Sequence, residues 1–346
     1  MSGTVDVDSL GRQDSWSGVR AVVLGFGAAG FAAADNLLHL GAEVLALDPD
    51  AGDAGRAERA ELLEVLGATV RLGVEPRLPG GPVDVVVVSP EWPDDSPLPE
   101  EARGRGVPLW GEVDLAWRLR DPAHPAPWLC AAGEPGGPAD PARTARVLDQ
   151  VLRAAGLRSA RAGHGGLPLV EAVMDPESYD VLAVALSPAQ LRRAGGLAAE
   201  SAVVLDVPAD PAQRAALGRV YEHVRLACVY AAAVPATEEL VREADVAEGA
   251  RAIGITLGMP GVGMLGLVED LLVDRAFIAE RASSAAELGS LGDVLPQPPT
   301  GGQDPDADGE ADPDPVRHAL AAAALARAHG VSQHAVRDGL RASRGR

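Results

Sequence analysis

Short apolar runs alternate with amphipathic stretches along most of this chain, which predicts strands and helices in turn. Val19–Leu24 is apolar except for Arg20 and reads as a buried strand. It runs into Gly25-Phe26-Gly27-Ala28-Ala29-Gly30, where a helix is predicted from about Ala28 to Leu40, ended by Gly41 as a left-handed cap. Glu43–Leu47 predicts a second strand closing on Asp48, followed by a helix over Ala57–Leu66 and strands at Thr69–Leu72 and Val83–Val88. Alternation of this kind predicts an α/β fold with a parallel, doubly wound sheet.

A second α/β run begins near Ala126. Strands are predicted at Trp128–Ala132, Val181–Ala185, Ala202–Leu205, Leu226–Tyr230 and Arg251–Gly254. Helices are predicted near Thr144–Ala155, Leu167–Met174, Pro235–Ala244, Pro315–His329 and Ser332–Ala342, and Leu265–Glu269 with Leu271–Ala279 reads as a hairpin opening on Asp270. The Pro/Gly/Asp-rich stretch Gln297–Asp314 is expected to be a disordered acidic loop. The resulting division is a flexible tail over 1–18, a first domain over 19–122 and a second over 123–346.

Composition narrows the function classes. The 346 residues carry a formal net charge of −20, against the basic footprint that nucleic acid or an anionic membrane surface requires. All 30 basic side chains are arginine, and the chain has no lysine. Aromatic residues are only 3 %, so the core must be built from Ala, Val and Leu. Cys130 and Cys228 lie in separate apolar runs, which reads as two buried free thiols. With no signal-peptide pattern and no apolar run long enough to cross a bilayer, a cytoplasmic protein without membrane insertion is expected.

Gly25, Gly27 and Gly30 form a G-x-G-x-x-G turn between a strand and a helix, the context in which backbone N–H groups at a helix N-terminus receive a phosphate. Asp48 at the end of the next strand is placed for a ribose hydroxyl. Three readings stand at this point: an NAD-type dinucleotide site, a nucleotide-sugar site, and a tight turn with no ligand. Further on, Val85–Val88 leads into Ser89-Pro90, and Pro108-Leu109-Trp110 into Gly111-Glu112-Val113-Asp114-Leu115. This order resembles the UDP-binding N-terminal domain of the Mur ligases. The likeness continues through Trp128-Leu129, Leu152–Leu157, Pro168–Val173 and the helix Ala319–Gly330, over roughly residues 18–342. It implies a Rossmann-like N-terminal domain followed by a Mur-ligase central domain with a mainly parallel sheet. It also implies a UDP-type site at Gly25, Phe26, Gly27, Ala28, Gly30, Asp48, Ser89 and Pro90.

Members of the family use ATP to phosphorylate a carboxylate, which an amine then attacks, and several groups this chemistry needs are replaced. Where the family has a P-loop with a lysine and a metal-holding Thr/Ser, this chain has Gly133, Glu134, Pro135, Gly136, Gly137 and Pro138. Carboxylates at 134 and 140 and prolines at 135, 138 and 141 repel phosphate and remove N–H donors. Ala185 stands where a magnesium carboxylate is expected, and His164 where an asparagine is. The segment around Pro211–Tyr221, which carries a carbamylated lysine in the family, is shortened, and Asp314–His318 replaces a His-Asn-x-x-Asn signature. The resemblance further implies a third, ATP-closing domain, which is expected to be missing after Arg346.

The expectation from these losses is a non-catalytic Mur-ligase-like pseudoenzyme with no cofactor, ATP and magnesium binding having been lost. Its expected ligand or partner is a UDP-muramoyl precursor or a cell-wall or division protein, in a binding or scaffolding role linked to peptidoglycan synthesis. The alternatives are an active ATP-dependent amide ligase of the muramoyl-alanine:D-glutamate type with an atypical site, and an NAD-type dinucleotide-binding protein.

Overall fold

The computed structural model describes residues 6–52, 54–295 and 314–344. It has two compact units. The first is Met1–Ala126 with Leu167–Ser178 and Ala189–Leu197; the second is Pro127–Gly166 with Tyr179–Pro188 and Ala198–Arg346. The division thus falls at Ala126/Pro127, and two later segments return to the first unit.

In the first unit, β1 (Arg20–Leu24) is followed by α1 (Ala28–His39), β2 (Glu43–Asp48), α2 (Ala54–Val65), β3 (Thr69–Leu72) and β4 (Val85–Val88). Then come α3 (Leu98–Gly104), β5 (Leu109–Gly111) and α4 (Glu112–Arg118). The five strands form a parallel sheet in the order β3-β2-β1-β4-β5. Every residue of β4 is buried, which a strand covered on both faces by helices requires of its continuous valine run. Leu24 pairs with Leu47 on one side and Val88 on the other. Gly25 and Ser89 therefore leave the sheet side by side at its carboxyl edge, where strand order reverses and open α/β sheets bind ligands.

Residues 6–18 are packed, in contrast to the flexible tail expected of them. Trp16 is fully buried, its ring edge-on to Trp110 at 6.2 Å, and its Nε1 donates to the Gly11 carbonyl at 3.1 Å. The Arg12 guanidinium donates to the carbonyls of Val173 at 2.8 Å and Asp175 at 3.1 Å. One indole and one guanidinium thus anchor a segment whose composition looks like that of a free tail.

The second unit holds a nine-stranded sheet. Its strands are β6 (Trp128–Ala132), β7 (Ser159–Gly163), β8 (Val181–Leu186), β9 (Ser201–Val204) and β10 (Ala227–Ala231), then β11 (Arg251–Ile255), β12 (Met264–Val268), β13 (Leu271–Asp274) and β14 (Ala286–Ser290). The order is β14-β13-β12-β11-β10-β9-β6-β8-β7, parallel up to β12 and antiparallel for β13 and β14. Helix α5 (Pro141–Ala154) and the alanine-rich helix Asp314–Ala328 share the main core with these strands. Gly339 allows the last helix, Gln333–Ser343, to touch α5 closely: a β-carbon there would lie 2.3 Å from the Val151 Cα. The predicted acidic loop at 297–314 lies outside the described residues as far as 313, and Asp314 opens its helix.

Both cysteines are buried and free, and burial pushes the Cys228 thiol up to about 12 and that of Cys130 further. Among the described residues, no helix is long and apolar enough to cross a membrane.

Candidate functional site

The glycine turn of the first unit has the backbone its sequence requires. Gly25 has φ +93°, and a β-carbon on Gly30 would stand 1.9 Å from the Gly25 carbonyl oxygen, so neither position admits a side chain. A β-carbon on Gly25 would also meet the Ser89 Cβ at 2.7 Å. Phe26 is buried, while Ala28, in the first turn of α1, is exposed.

Asp48, read from the sequence as a ribose acceptor, is instead committed to the turn. It is 9 % exposed; Oδ2 accepts from the Phe26 N–H at 2.6 Å and from Arg56 at 3.2 Å, and Oδ1 accepts from the Asp50 N–H at 2.9 Å. Ser89 is also engaged, its hydroxyl donating to the Glu91 carboxylate. That carboxylate folds over the turn: a β-carbon on Gly27 would lie 2.9 to 3.1 Å from three of its atoms. A negative charge thus already sits near the first turn of α1, where the helix N-terminus favours an anion. Pro90 is half-buried between Ser89 and Glu91. Beside it the Trp92 indole is 4 % exposed, with its Nε1 buried and without a hydrogen-bond partner among the described residues.

Two residues of the Gly111–Leu115 motif have a role that the sequence reading missed. Glu112, 3 % exposed, accepts from the Leu169 N–H at 2.8 Å and from the Gln190 side-chain amide at 2.9 Å. Burial is the main cause of its raised pKa, opposed by those two hydrogen bonds. Asp114 accepts from the Gly195 N–H at 2.7 Å. These carboxylates fasten the two returning segments to the first unit, which explains acidic residues at the start of α4 without invoking chemistry. Of the tryptophans near the motif, Trp92, Trp110 and Trp128 are buried and Trp117 is half-buried.

In the second unit, loop 133–140 closes on itself. Gly133 donates its N–H to the Leu186 carbonyl, and a β-carbon on it would meet the Ala139 carbonyl oxygen at 2.8 Å. Asp140 caps α5, accepting from the Ala142 N–H at 2.9 Å and from the Gly136 N–H at 3.1 Å. Gly136 (φ +79°) and Gly137 form the turn between Glu134 and Pro138. The Pro138 carbonyl accepts from His318 Nε2 at 2.9 Å, and Thr144 Oγ1 lies 2.8 Å from His318 Nδ1. A carbonyl only accepts, so Nε2 carries a proton, and in the neutral ring Nδ1 accepts from the threonine hydroxyl. Burial is the first cause of the lowered His318 pKa, at about 4.

Ala185 is buried in β8, its carbonyl receiving the His164 N–H at 2.9 Å, which leaves His164 a backbone role here. No group of three or more His, Cys, Asp or Glu side chains that could hold a metal ion forms among the described residues. Beside the capped start of α5 lies a cleft of about 540 Å³ lined by Arg143, Arg146 and Arg161, a second feature the sequence reading did not identify.

No family model matches the chain. Individual relatives do. The chain is 46 % identical over 338 residues to the UDP-N-acetylmuramoylalanine–D-glutamate ligase of Streptomyces avermitilis, covering 95 % of this chain and 68 % of that protein. It is also 46 % identical to the ligase of the same name from Streptomyces coelicolor, covering 94 % and 67 %. It spans about two thirds of the length of these relatives. The fold is also that of the UDP-N-acetylmuramate:L-alanyl-gamma-D-glutamyl-meso-diaminopimelate ligase from Neisseria meningitides, with a TM-score of 0.56 at 16 % identity, over 94 % of this chain and 98 % of that one.

These relatives correct the expectation of a non-catalytic chain that has lost ATP and magnesium: close sequence likeness over nearly its whole length is to proteins named as ligases, enzymes that couple bond formation to cleavage of a nucleoside triphosphate. The replaced loop and Ala185 are local departures within that likeness. On the extent of the match, the chain belongs to the Mur ligases, in the family of the UDP-N-acetylmuramoylalanine–D-glutamate ligases.

Proposed function

We propose that this chain is an ATP-dependent amide ligase of atypical site, joining D-glutamate to a UDP-muramoyl-alanine precursor. The observation that carries the reading is the 46 % identity over 95 % of the chain to a protein named for that reaction. The glycine turn supports it. Gly25, Gly27 and Gly30 keep side chains out of the way of a diphosphate approaching the first-turn amides of α1. The unpartnered Trp92 indole N–H is a buried donor available to a ligand at the same edge.

In this reading the diphosphate takes the place of the Glu91 carboxylate at the turn. Glu91 is an exposed side chain, so it swings away into water, and the Ser89 hydroxyl it releases turns to the ribose or base alongside Pro90. Asp48 serves as the positioning residue that holds the Phe26 amide and with it the curvature of the turn. The cationic charge that lysine provides in a phosphate loop falls to arginine, the basic residue this chain possesses.

The test is a ligation assay on the purified chain with UDP-N-acetylmuramoyl-L-alanine, D-glutamate, ATP and magnesium, read by mass spectrometry. The expected result is the UDP-muramoyl dipeptide with an equal amount of ADP, both absent when D-glutamate is omitted. No dipeptide with enzyme and substrate at equal concentration would overturn the reading.

A further inference from the structure

Arg143 and Arg146 stand one turn apart on α5, and Arg161 lies on the neighbouring strand β7; all three line the 540 Å³ cleft of the second unit. Among the described residues none of the three side chains has an ion-pair or hydrogen-bond partner, in a chain with 50 Asp and Glu against 30 Arg. Despite carboxylates in such excess, these three guanidinium groups of one cleft repel one another with no carboxylate paired to them among the described residues. The other ionisable groups in the lining do little to change this. Asp140 is the one carboxylate, and both its oxygens accept backbone N–H groups as the cap of α5. His318 is neutral and fixed by Pro138 and Thr144.

We propose that this cleft is a polyphosphate-binding site, in which the three arginines supply the charge that a phosphate-loop lysine would supply. Guanidinium groups pair with phosphate oxygens through parallel N–H donors, and the volume is that of a small-ligand pocket. The cleft lies beside loop 133–140 rather than within it, because Asp140 fills the amide cradle of the loop itself. The assignment deepens the ligase reading, on which the identity of the polyphosphate as that of the nucleotide rests.

The experiment is calorimetric titration of the full chain with inorganic tripolyphosphate, at low and at high salt. The wild type is expected to bind, more weakly as salt rises, and the affinity should fall about tenfold for each arginine removed in Arg146→Ala and in the Arg146→Ala/Arg161→Ala pair. Arg161→Lys should retain part of the affinity. Arg214→Ala, in a different cleft, should leave it unchanged. The three arginines are exposed and unpaired among the described residues, so the thermal unfolding midpoint should not fall in the variants at 146 and 161. Absence of binding by the wild type, or equal binding by the double variant, overturns the site. Tripolyphosphate requires neither acceptor nor amino acid, so the two readings separate. Arginine-dependent binding without ligation keeps the cleft and removes the ligase; ligation unaffected by the double variant does the reverse.

Discussion

Glu91 lays its carboxylate against the backbone of Gly27, so close that a β-carbon on that glycine would stand 2.9 Å from one carboxylate oxygen. The glycine that would admit a phosphate to α1 in the proposed reading also lets the protein's own anion approach. Ser89 holds the carboxylate there, two residues away on the same strand end.

Replacing Glu91 with glycine should therefore strengthen binding of UDP at the turn. A like charge within a few ångströms of a phosphate at a partly exposed site is worth several kcal/mol before screening, so a gain of about tenfold or more is expected. Calorimetry on the wild type and Glu91→Gly checks this, and the difference should narrow at high salt.

Glu112 predicts a stability effect. Truncation in Glu112→Ala leaves the Leu169 N–H and the Gln190 amide without their acceptor in a buried site. The expected loss is about 3 kcal/mol. Urea unfolding should show it as a lower midpoint, and limited proteolysis should show new cleavage within 167–178.

His318 makes stability depend on pH. Its folded pKa of about 4 lies below the ordinary value of 6.5, so the unfolded state takes up the proton first as pH falls. Its contribution is complete at pH 7 and is lost between about 6.5 and 4, up to about 3 kcal/mol. In His318→Gln the slope of stability against pH over that window should be shallower than in the wild type, measured by thermal unfolding in matched buffers.

Trp16 tests whether the N-terminal segment is structural. It is fully buried and packs on Trp110, so Trp16→Ala should cost about 3–5 kcal/mol. A substitution in a free tail would leave the chemical-denaturation midpoint where it was.

Much of this architecture was legible from local pattern. Continuous apolar runs such as Val85–Val88 can be covered only on both faces, which makes them central strands of parallel sheets. Gly25 and Gly30 are fixed by backbone sterics within six residues. The strands that pattern missed are all edges: Leu109–Gly111 of the five-stranded sheet, and Ser159–Gly163 and Ala286–Ser290 of the nine-stranded one. An edge strand is paired on one side only, so its sequence need not be continuously apolar.

The sequence by itself determined the two α/β runs, the steric demands of the glycine turn, the absence of lysine and the membership carried by the order of motifs. Only the tertiary structure decided how the polar groups pair. Glu112 meets partners 57 and 78 residues away, and Thr144 meets His318 across 174 residues. Hydrophobic periodicity sets which face of an element is buried, but it carries no information about which distant polar group arrives opposite. Arg143, Arg146 and Arg161 belong to a helix and a strand that look unremarkable when read separately. They form one cleft because β7 and α5 are packed in the same unit.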